Sequence, residues 1–271
     1  MSDELNKKYD ELTTLLRSLG SVVVAFSGGV DSTFLLYAAH DALGENALAV
    51  TALSPLIPLR EEDSAAAYCA AIGVRQIVIR PDPLSVEGFA DNPPDRCYHC
   101  KKHIFTQILD IAAKENMSAV AEGSNLDDEG DYRPGHRAIA ELGIRSPLRE
   151  CGFTKSDIRT LSRRFGLPTW DKPSYACLAS RIPYGEVITG QKLAMVDRAE
   201  QILMDRGFGQ LRVRLHGDLA RIEIAPGEMD RFLDPQMRTE VYEEFKKIGL
   251  VYITLDLKGY RTGSLNETLS L

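Results

Sequence analysis

No apolar run in the sequence reaches the roughly 18 residues that a membrane-spanning helix needs, so no helical membrane anchor is expected. Positive charge is in deficit. The 32 Lys and Arg residues stand against 39 Asp and Glu, a formal net charge of −7, which argues against general affinity for nucleic acid. The start, Met1-Ser2-Asp3-Glu4, has neither the basic nor the apolar stretch of a secretory leader, and a cytoplasmic location is expected. Cysteine is sparse, five in 271 residues. In a reducing compartment such thiols serve as metal ligands, reactive groups or packing rather than as disulfides. Internal repeats and low-complexity segments are also missing. One lysine is conspicuously absent. The glycine-rich segment at 27–32 has none, so it is not the G-x-x-x-x-G-K-S/T loop that serves β/γ-phosphate chemistry.

What is present is an ordinary globular content, 44% hydrophobic, on a length that suits one large or two modest domains. Short apolar runs at 22–26, 47–53, 76–80 and 119–123 alternate with helical patterns at 3–19, from Thr33, at 58–72, over 95–116, and near 135–143 and 154–165. This alternation predicts an α/β domain with a parallel sheet covered on both faces. In such sheets ligands bind beyond the carboxyl ends of the strands. Three strand ends then converge on one crevice: Ser27 to Ser32 after the first, Ser54 after the second, and Glu122-Gly123-Ser124-Asn125 after the fourth. Gly123 would let a flat adenine lie against the backbone. From about residue 173 the pattern changes. A helix at 191–207, strands at 211–216 and 220–224 joined by a Gly217-Asp218 turn, a helix at 238–248 and a strand at 251–256 predict a small α+β domain. The expected domains are 1–172 and 173–271.

Between the first strand and its helix lies Phe26-Ser27-Gly28-Gly29-Val30-Asp31-Ser32. A strand, a tight Gly-Gly turn and a helix start make an anion cradle, because glycines admit close approach and helix N-terminal N–H groups point at the anion. Ser27 and Ser32 add hydroxyls, and Asp31 offers a carboxylate suited to Mg2+.

A second constellation is Cys97-Tyr98-His99-Cys100 at a helix start, where positions i and i+3 share a face. The helix N-terminus with Lys101 and Lys102 favours thiolates there. A third cysteine, Cys177, sits in Pro173-Ser174-Tyr175-Ala176-Cys177-Leu178-Ala179-Ser180-Arg181. Three cysteines so arranged suit Zn2+ with His99 or His103 as fourth ligand, a redox dithiol, a 4Fe-4S cluster with one open iron, or simple packing. Cys69, in an alanine-rich helix, reads as a core residue, and Cys151 carries no assigned role. Arg212 and Arg214, two residues apart, share one strand face and suit a phosphate.

Taken together, Ser27-Gly28-Gly29-Val30-Asp31-Ser32, Arg96-Cys97-Tyr98-His99-Cys100-Lys101, Glu122-Gly123-Ser124-Asn125-Leu126-Asp127-Asp128, Asp131-Tyr132-Arg133-Pro134-Gly135 and Ala176-Cys177-Leu178-Ala179-Ser180-Arg181 resemble the LarE family along essentially the whole chain. These are sulfur transferases of the PP-loop ATP-pyrophosphatase superfamily. The resemblance implies a PP-loop ATP-pyrophosphatase domain followed by the small α+β domain. It implies adenylylation of the carboxylates of a pyridinium-3,5-dicarboxylate mononucleotide by ATP and Mg2+, then replacement of oxygen by sulfur. The product belongs to the nickel-pincer nucleotide cofactor of lactate racemase. In one version of the family the cysteine matching Cys177 gives up its own sulfur. In the other, three cysteines hold a 4Fe-4S cluster carrying an extra sulfide, and the presence of Cys97, Cys100 and Cys177 favours that version.

By the same resemblance Ser27, Gly28, Gly29, Val30, Asp31, Ser32, Ser54, Gly123 and Asn125 bind the nucleotide. Lys101 and Arg133 meet phosphate oxygens, and Asp127, Asp128 and Asp131 hold Mg2+ or the ribose. Ser180 and Arg181 stand beside the sulfur site. Arg212 and Arg214 take the substrate phosphate, with Glu200 and Glu223 orienting them or handling protons. A homo-oligomer is implied, with other enzymes of the nickel-pincer route as candidate partners. The rival readings are thiolation of another acceptor such as tRNA, and a non-catalytic nucleotide- or zinc-binding regulator.

Overall fold

The computed structural model describes residues 2–58, 60, 62–128, 134–173, 177–261 and 263–269. By their packing they fall into two compact units. The first comprises Met1–Ser54, Arg60–Asp82 and Cys97–Tyr175, and the second Pro55–Leu59, Pro83–Arg96 and Ala176–Leu271. Two early excursions thus belong with the second unit, which a single boundary at 172/173 does not provide for. Hydrogen bonding explains it. The side-chain nitrogen of buried Asn92 lies 3.2, 2.6 and 3.1 Å from the carbonyl oxygens of Ile182, Pro183 and Glu186. Leu178 N–H donates to Leu56 O at 2.9 Å.

In the first unit, β1 (Val22–Ala25), β2 (Ala47–Ala52), β3 (Gln76–Ile79) and β4 (Ala119–Ala121) form a fully parallel sheet of order β3-β2-β1-β4. Its helices are α1 (Ser2–Leu19), α2 (Val30–Leu43), α3 (Glu62–Ile72), α4 (Arg96–Lys114), α5 (Gly135–Glu141), α6 (Pro147–Glu150) and α7 (Lys155–Arg164). Side chains alternate across a strand, so β1 serves two cores. Val22 and Val24 pack with Leu12, Phe34, Leu148 and Ile158 from α1, α2, α6 and α7. Val23 packs on the other face with Phe105, Ile108 and Ile139 from α4 and α5. Burial on both faces is why the strand is continuously apolar. Each such aliphatic side chain contributes on the order of 1.5–3 kcal/mol.

Strand order places β2 and β3 on one side of β1 and β4 on the other. The connections after β1 and β4 therefore open a crevice beyond their carboxyl ends. The α2 helix begins at Val30, three residues before the apolar run that signals it, because Gly29 is the extended N-cap. The α3 helix begins at Glu62 rather than Pro58, whose segment belongs with the second unit. Helix α6 left no sequence signal because it is a single turn.

The second unit holds α8 (Gly190–Asp205), β5 (Leu211–His216), β6 (Leu219–Ile224), α9 (Met229–Phe232), α10 (Pro235–Lys247) and β7 (Tyr252–Leu255). The sheet order is β5-β6-β7, with β5 and β6 an antiparallel hairpin and β7 parallel to β6. Gly217 takes a φ of +57° in the hairpin turn, which a β-carbon would strain. No helix among the described residues is long and apolar enough to cross a membrane.

Candidate active site

The loop after β1 is built around two glycines and two hydroxyls. Gly28 has a φ of +70° and lies against Ala65 of α3, 3.6 Å from where its own β-carbon would be. Ser32 Oγ accepts from Ser27 N–H at 3.3 Å, lies 3.0 Å from Ser27 Oγ and donates to Gly29 O at 3.2 Å. These bonds fold the loop back onto the first turn of α2. Gly29 gives α2 no side-chain cap. First-turn N–H groups have no intrahelical partner, so this end keeps its donors and its positive dipole end for an anion. Helix α7 shows the contrast: Thr154 and Asp157 close it with a complete capping box.

The loop of β4 touches that of β1. A β-carbon on Gly123 would stand 3.0 Å from Ser32 N and 3.2 Å from Asp31 C. Here glycine is explained by backbone meeting backbone. Asn125 Nδ2 donates to Asp31 Oδ1 at 3.4 Å, Asp127 Oδ2 accepts from Lys155 N–H at 2.8 Å, and Asp128 Oδ2 accepts from Asn125 N–H at 3.0 Å. Asp127 and Asp128 are thus engaged with backbone, and Asp128 also acts on Asp31.

The lysines that the loop lacks in sequence arrive from elsewhere. Lys155, at the start of α7, pairs with Asp31 at 2.5 Å across 124 residues of sequence. Lys172 donates to Gly28 O at 3.0 Å across 144 residues. Its segment is pinned by Arg159, whose guanidinium donates to Trp170 O at 2.7 Å and Lys172 O at 2.8 Å. Burial pushes the Asp31 carboxyl above its ordinary value, against the opposing pull of Lys155, with Asp128 adding to the rise and Asn125 lowering it. Neither lysine was legible as a site residue, since nothing local marks either one.

Lys101 approaches the end of β4 from α4. Its stem crosses Gly135, and its ammonium stands 3.9 Å from buried Glu122, which accepts from Ser124 and Ser146. Ser54 lies in the coil past β2. Cys97 and Cys100 are one turn apart on α4. That turn is fastened to α5: Tyr98 donates to Glu141 at 2.7 Å, and the Arg137 guanidinium sits 3.6 Å from the centre of the Tyr98 ring. Asp131, Arg133 and residues 174–176 lie outside the described residues.

In the second unit the expected residues gather into one buried network. Arg181, fully buried, makes two parallel bonds to Glu200 at 2.8 and 2.9 Å, and its remaining nitrogen donates to Cys177 O and Ser180 Oγ. Glu200 also accepts from Val213 N–H at 3.1 Å. Arg214 is paired with Glu223 at 3.0 Å through both oxygens and donates to Ser180 O at 2.6 Å. Arg212 lies 5.1 Å from the centre of the Tyr260 ring, and burial with the neighbouring Arg181 lowers its pKa. Glu200 therefore orients Arg181, and Glu223 orients Arg214. The short turn Leu178–Arg181 that follows Cys177 is held from both sides. Ser264, donating to Glu223, and Arg221, pairing with it, went unread in the sequence.

None of the five cysteines is in a disulfide; Cys97 and Cys177 are exposed, and Cys100 and Cys151 are half-buried. Among the described residues no three His, Cys, Asp or Glu side chains gather as a metal would require. Burial pushes the Cys69 and Cys151 thiols up to about 11. A raised thiol pKa means less thiolate, so near pH 8 only on the order of one in a thousand of these groups is reactive. An alkylating reagent is expected to modify Cys97 and Cys177 at least about 100-fold faster than Cys69 and Cys151, as peptide mass mapping over time would show.

No family model matches the chain. An uncharacterised protein of Synechocystis is 40% identical over 266 residues, covering 98% of this chain and 99% of its own. The pyridinium-3,5-bisthiocarboxylic acid mononucleotide synthase of Lactiplantibacillus plantarum, a LarE enzyme, is 40% identical over 267 residues, 98% of this chain and 96% of that protein. A GMP synthase of Pyrobaculum aerophilum is 27% identical over 232 residues, 74% of this chain and 43% of that longer enzyme. An identity of 40% sustained along nearly the full length of both chains goes well past a shared fold, and the chain belongs to the LarE family of ATP-dependent PP-loop enzymes.

Proposed function

We propose that this enzyme adenylylates the carboxylates of pyridinium-3,5-dicarboxylate mononucleotide and converts them to thiocarboxylates for the nickel-pincer cofactor. The observation that carries the reading is the uncapped start of α2, with Asp31 in its first turn, in a chain so similar to the synthase. A carboxylate is a poor electrophile. Its oxygen attacks the α-phosphorus of ATP, pyrophosphate leaves, and the acyl adenylate then has AMP as leaving group. A sulfur nucleophile adds to the acyl carbon, the C–O bond to AMP breaks, and a thiocarboxylate remains. The first-turn N–H groups and Lys155 attract the pyrophosphate, while Asp31 is the carboxylate suited to Mg2+. Arg212 and Arg214 are assigned to the substrate's phosphate, with Glu223 fixing the plane of Arg214 and the Tyr260 ring beside Arg212.

For the sulfur we assign Cys97, Cys100 and Cys177 as holders of a 4Fe-4S cluster. Soft thiolates are the donor set such clusters take, and Cys97 and Cys177 are exposed, with Cys100 one turn along α4 from Cys97. When bound, the cluster supplies an open iron able to carry a replaceable hydrosulfide. Location in the cytosol and assembly into a homo-oligomer complete the reading.

The test is anaerobic purification with iron and sulfide analysis of the wild type beside Cys97→Ala, Cys100→Ala and Cys177→Ala, together with pyrophosphate release on adding the dicarboxylate nucleotide. Iron lost in all three variants, and release that depends on the nucleotide, are the expected results. Iron unchanged in the variants ends the cluster assignment. Loss of hydrogen sulfide from Cys177 by mass spectrometry after turnover would instead mark it as a sacrificial donor. Release with bulk tRNA but not with the nucleotide overturns the substrate.

A further inference from the structure

Within that reading, we infer that Asn92 and Arg96 are positioning residues for the sulfur-transfer step, joining the chain that enters Cys97 to the chain that leaves Cys177. A buried knot in the second unit carries the inference. Asn92 is fully buried, and its side-chain nitrogen faces the carbonyl oxygens of Ile182, Pro183 and Glu186. Its side-chain oxygen accepts from the buried Arg96 guanidinium at 2.7 Å. That guanidinium lies 4.5 Å from the centre of the Tyr184 ring, whose hydroxyl donates to Asn266 at 3.1 Å. The backbones are joined as well. Gly185 N–H donates to Asn92 O at 2.9 Å, and Ile188 N–H to Ala90 O at 2.8 Å. Asn92 holds a φ of +57°, which asparagine tolerates better than most side chains, so the residue serves both the turn and the network.

The knot's place in the chain gives it meaning. Arg96 is the first residue of α4, and Cys97 follows it directly. Ile182 follows the short turn Leu178–Arg181, which Cys177 precedes and which Glu200 holds through Arg181. The helix bearing Cys97 and Cys100 therefore starts, and the turn after Cys177 ends, on the same two side chains. Removing the Asn92 amide takes a donor from three carbonyl oxygens and an acceptor from a buried guanidinium, and these groups must shift to find others. The hydrogen bonds that fold the Gly28-Gly29 turn are a separate set, made by Ser27, Ser32 and Lys172. An acyl adenylate left without sulfur is hydrolysed to AMP and the starting carboxylate. A misplaced sulfur site thus still lets pyrophosphate appear while thiocarboxylate does not.

Asn92→Gly deletes the amide and keeps the left-handed backbone. In this variant thiocarboxylate formed per pyrophosphate released is expected to fall about 30- to 100-fold, with pyrophosphate release within about twofold of the wild type. Asn116→Gly, at an exposed asparagine with a φ of +55°, is the control and should leave the ratio unchanged. An equal fall in both products would make Asn92 merely structural and overturn the inference, as would an unchanged ratio. Hydrogen exchange tests the knot independently of the reaction. The N–H of Cys100, one turn along α4 from Arg96, and those of Ser180 and Ile182 should all exchange at least about tenfold faster in Asn92→Gly. Protection lost in only one of the two segments also overturns it. If Asn92→Gly fails to fold in a thermal melt, Arg96→Met decides by the same two measurements. A wild type that forms no thiocarboxylate sinks the proposed reaction, and the exchange result then decides whether Asn92 and Arg96 join the two segments.

Discussion

Gly123→Ala is expected to lower nucleotide-dependent pyrophosphate release by about 100-fold, the usual scale when reacting groups are displaced by an ångström. The new β-carbon would lie 3.0 Å from Ser32 N, 3.2 Å from Asp31 C and 3.3 Å from Asp31 Cβ. Two of these atoms are backbone at the start of α2 and cannot step aside as a side chain does. The loop of β4 or the first turn of α2 must shift, and either moves Asp31 relative to the crevice. The stability cost of such overpacking is smaller, about 1–3 kcal/mol, so the protein should still unfold cooperatively. Gly209→Ala is the control, because nothing lies within 4 Å of its added carbon. A coupled pyrophosphate assay beside a thermal melt separates lost catalysis from lost fold. Equal activity in the two variants would mean that the Gly123 contact does not hold the phosphate loop.

The second large effect belongs to the buried pair in the other unit. Glu200→Ala strands the Arg181 guanidinium, which has 0% side-chain exposure. Removing one partner of such a pair costs roughly 3–5 kcal/mol, because the remaining charge is buried without compensation. For a chain of this size that corresponds to a drop in Tm of about 10 °C. Val213 N–H loses its acceptor at the same time. The double change Arg181→Met with Glu200→Leu should recover most of the loss, since replacing both charges with apolar groups removes the desolvation penalty as well. High salt should alter none of these values much, as buried pairs are poorly screened. Differential scanning calorimetry of the three variants gives the answer. A Glu200→Ala protein that melts with the wild type would show that Arg181 finds its counter-charge elsewhere.

The Gly28-Gly29 turn and the four parallel strands were legible because their causes are local. Burial on both faces writes a continuous apolar run, and an anion cradle needs adjacent glycines. Lys155 and Lys172 were not legible, because what makes them matter is proximity to Asp31 and Gly28 in space. Arg212 and Arg214 were read as one strand face, and their period of two was real. The strand is nevertheless buried from Leu211 to Leu215, with Arg212 at 7% and Arg214 at 5% exposure. Glu200 on α8 and Glu223 on β6 make that burial tolerable, and no spacing rule links them to particular arginines. The excursion at 83–96 was hidden for a similar reason. The Asn92 amide binds carbonyls some ninety positions away, a bond without any trace in composition.

The brace beneath the Gly28 turn has a bearing on how the protein is made. Strand β1 and its loop leave the ribosome early, but Arg159 and Lys172 follow well over a hundred residues later. A nascent chain that has already emerged through β4 carries the nucleotide loop unsupported. Competence for ATP should therefore come late in synthesis, and stalled chains ending before Lys172 should hold nucleotide poorly even where their sheet has formed.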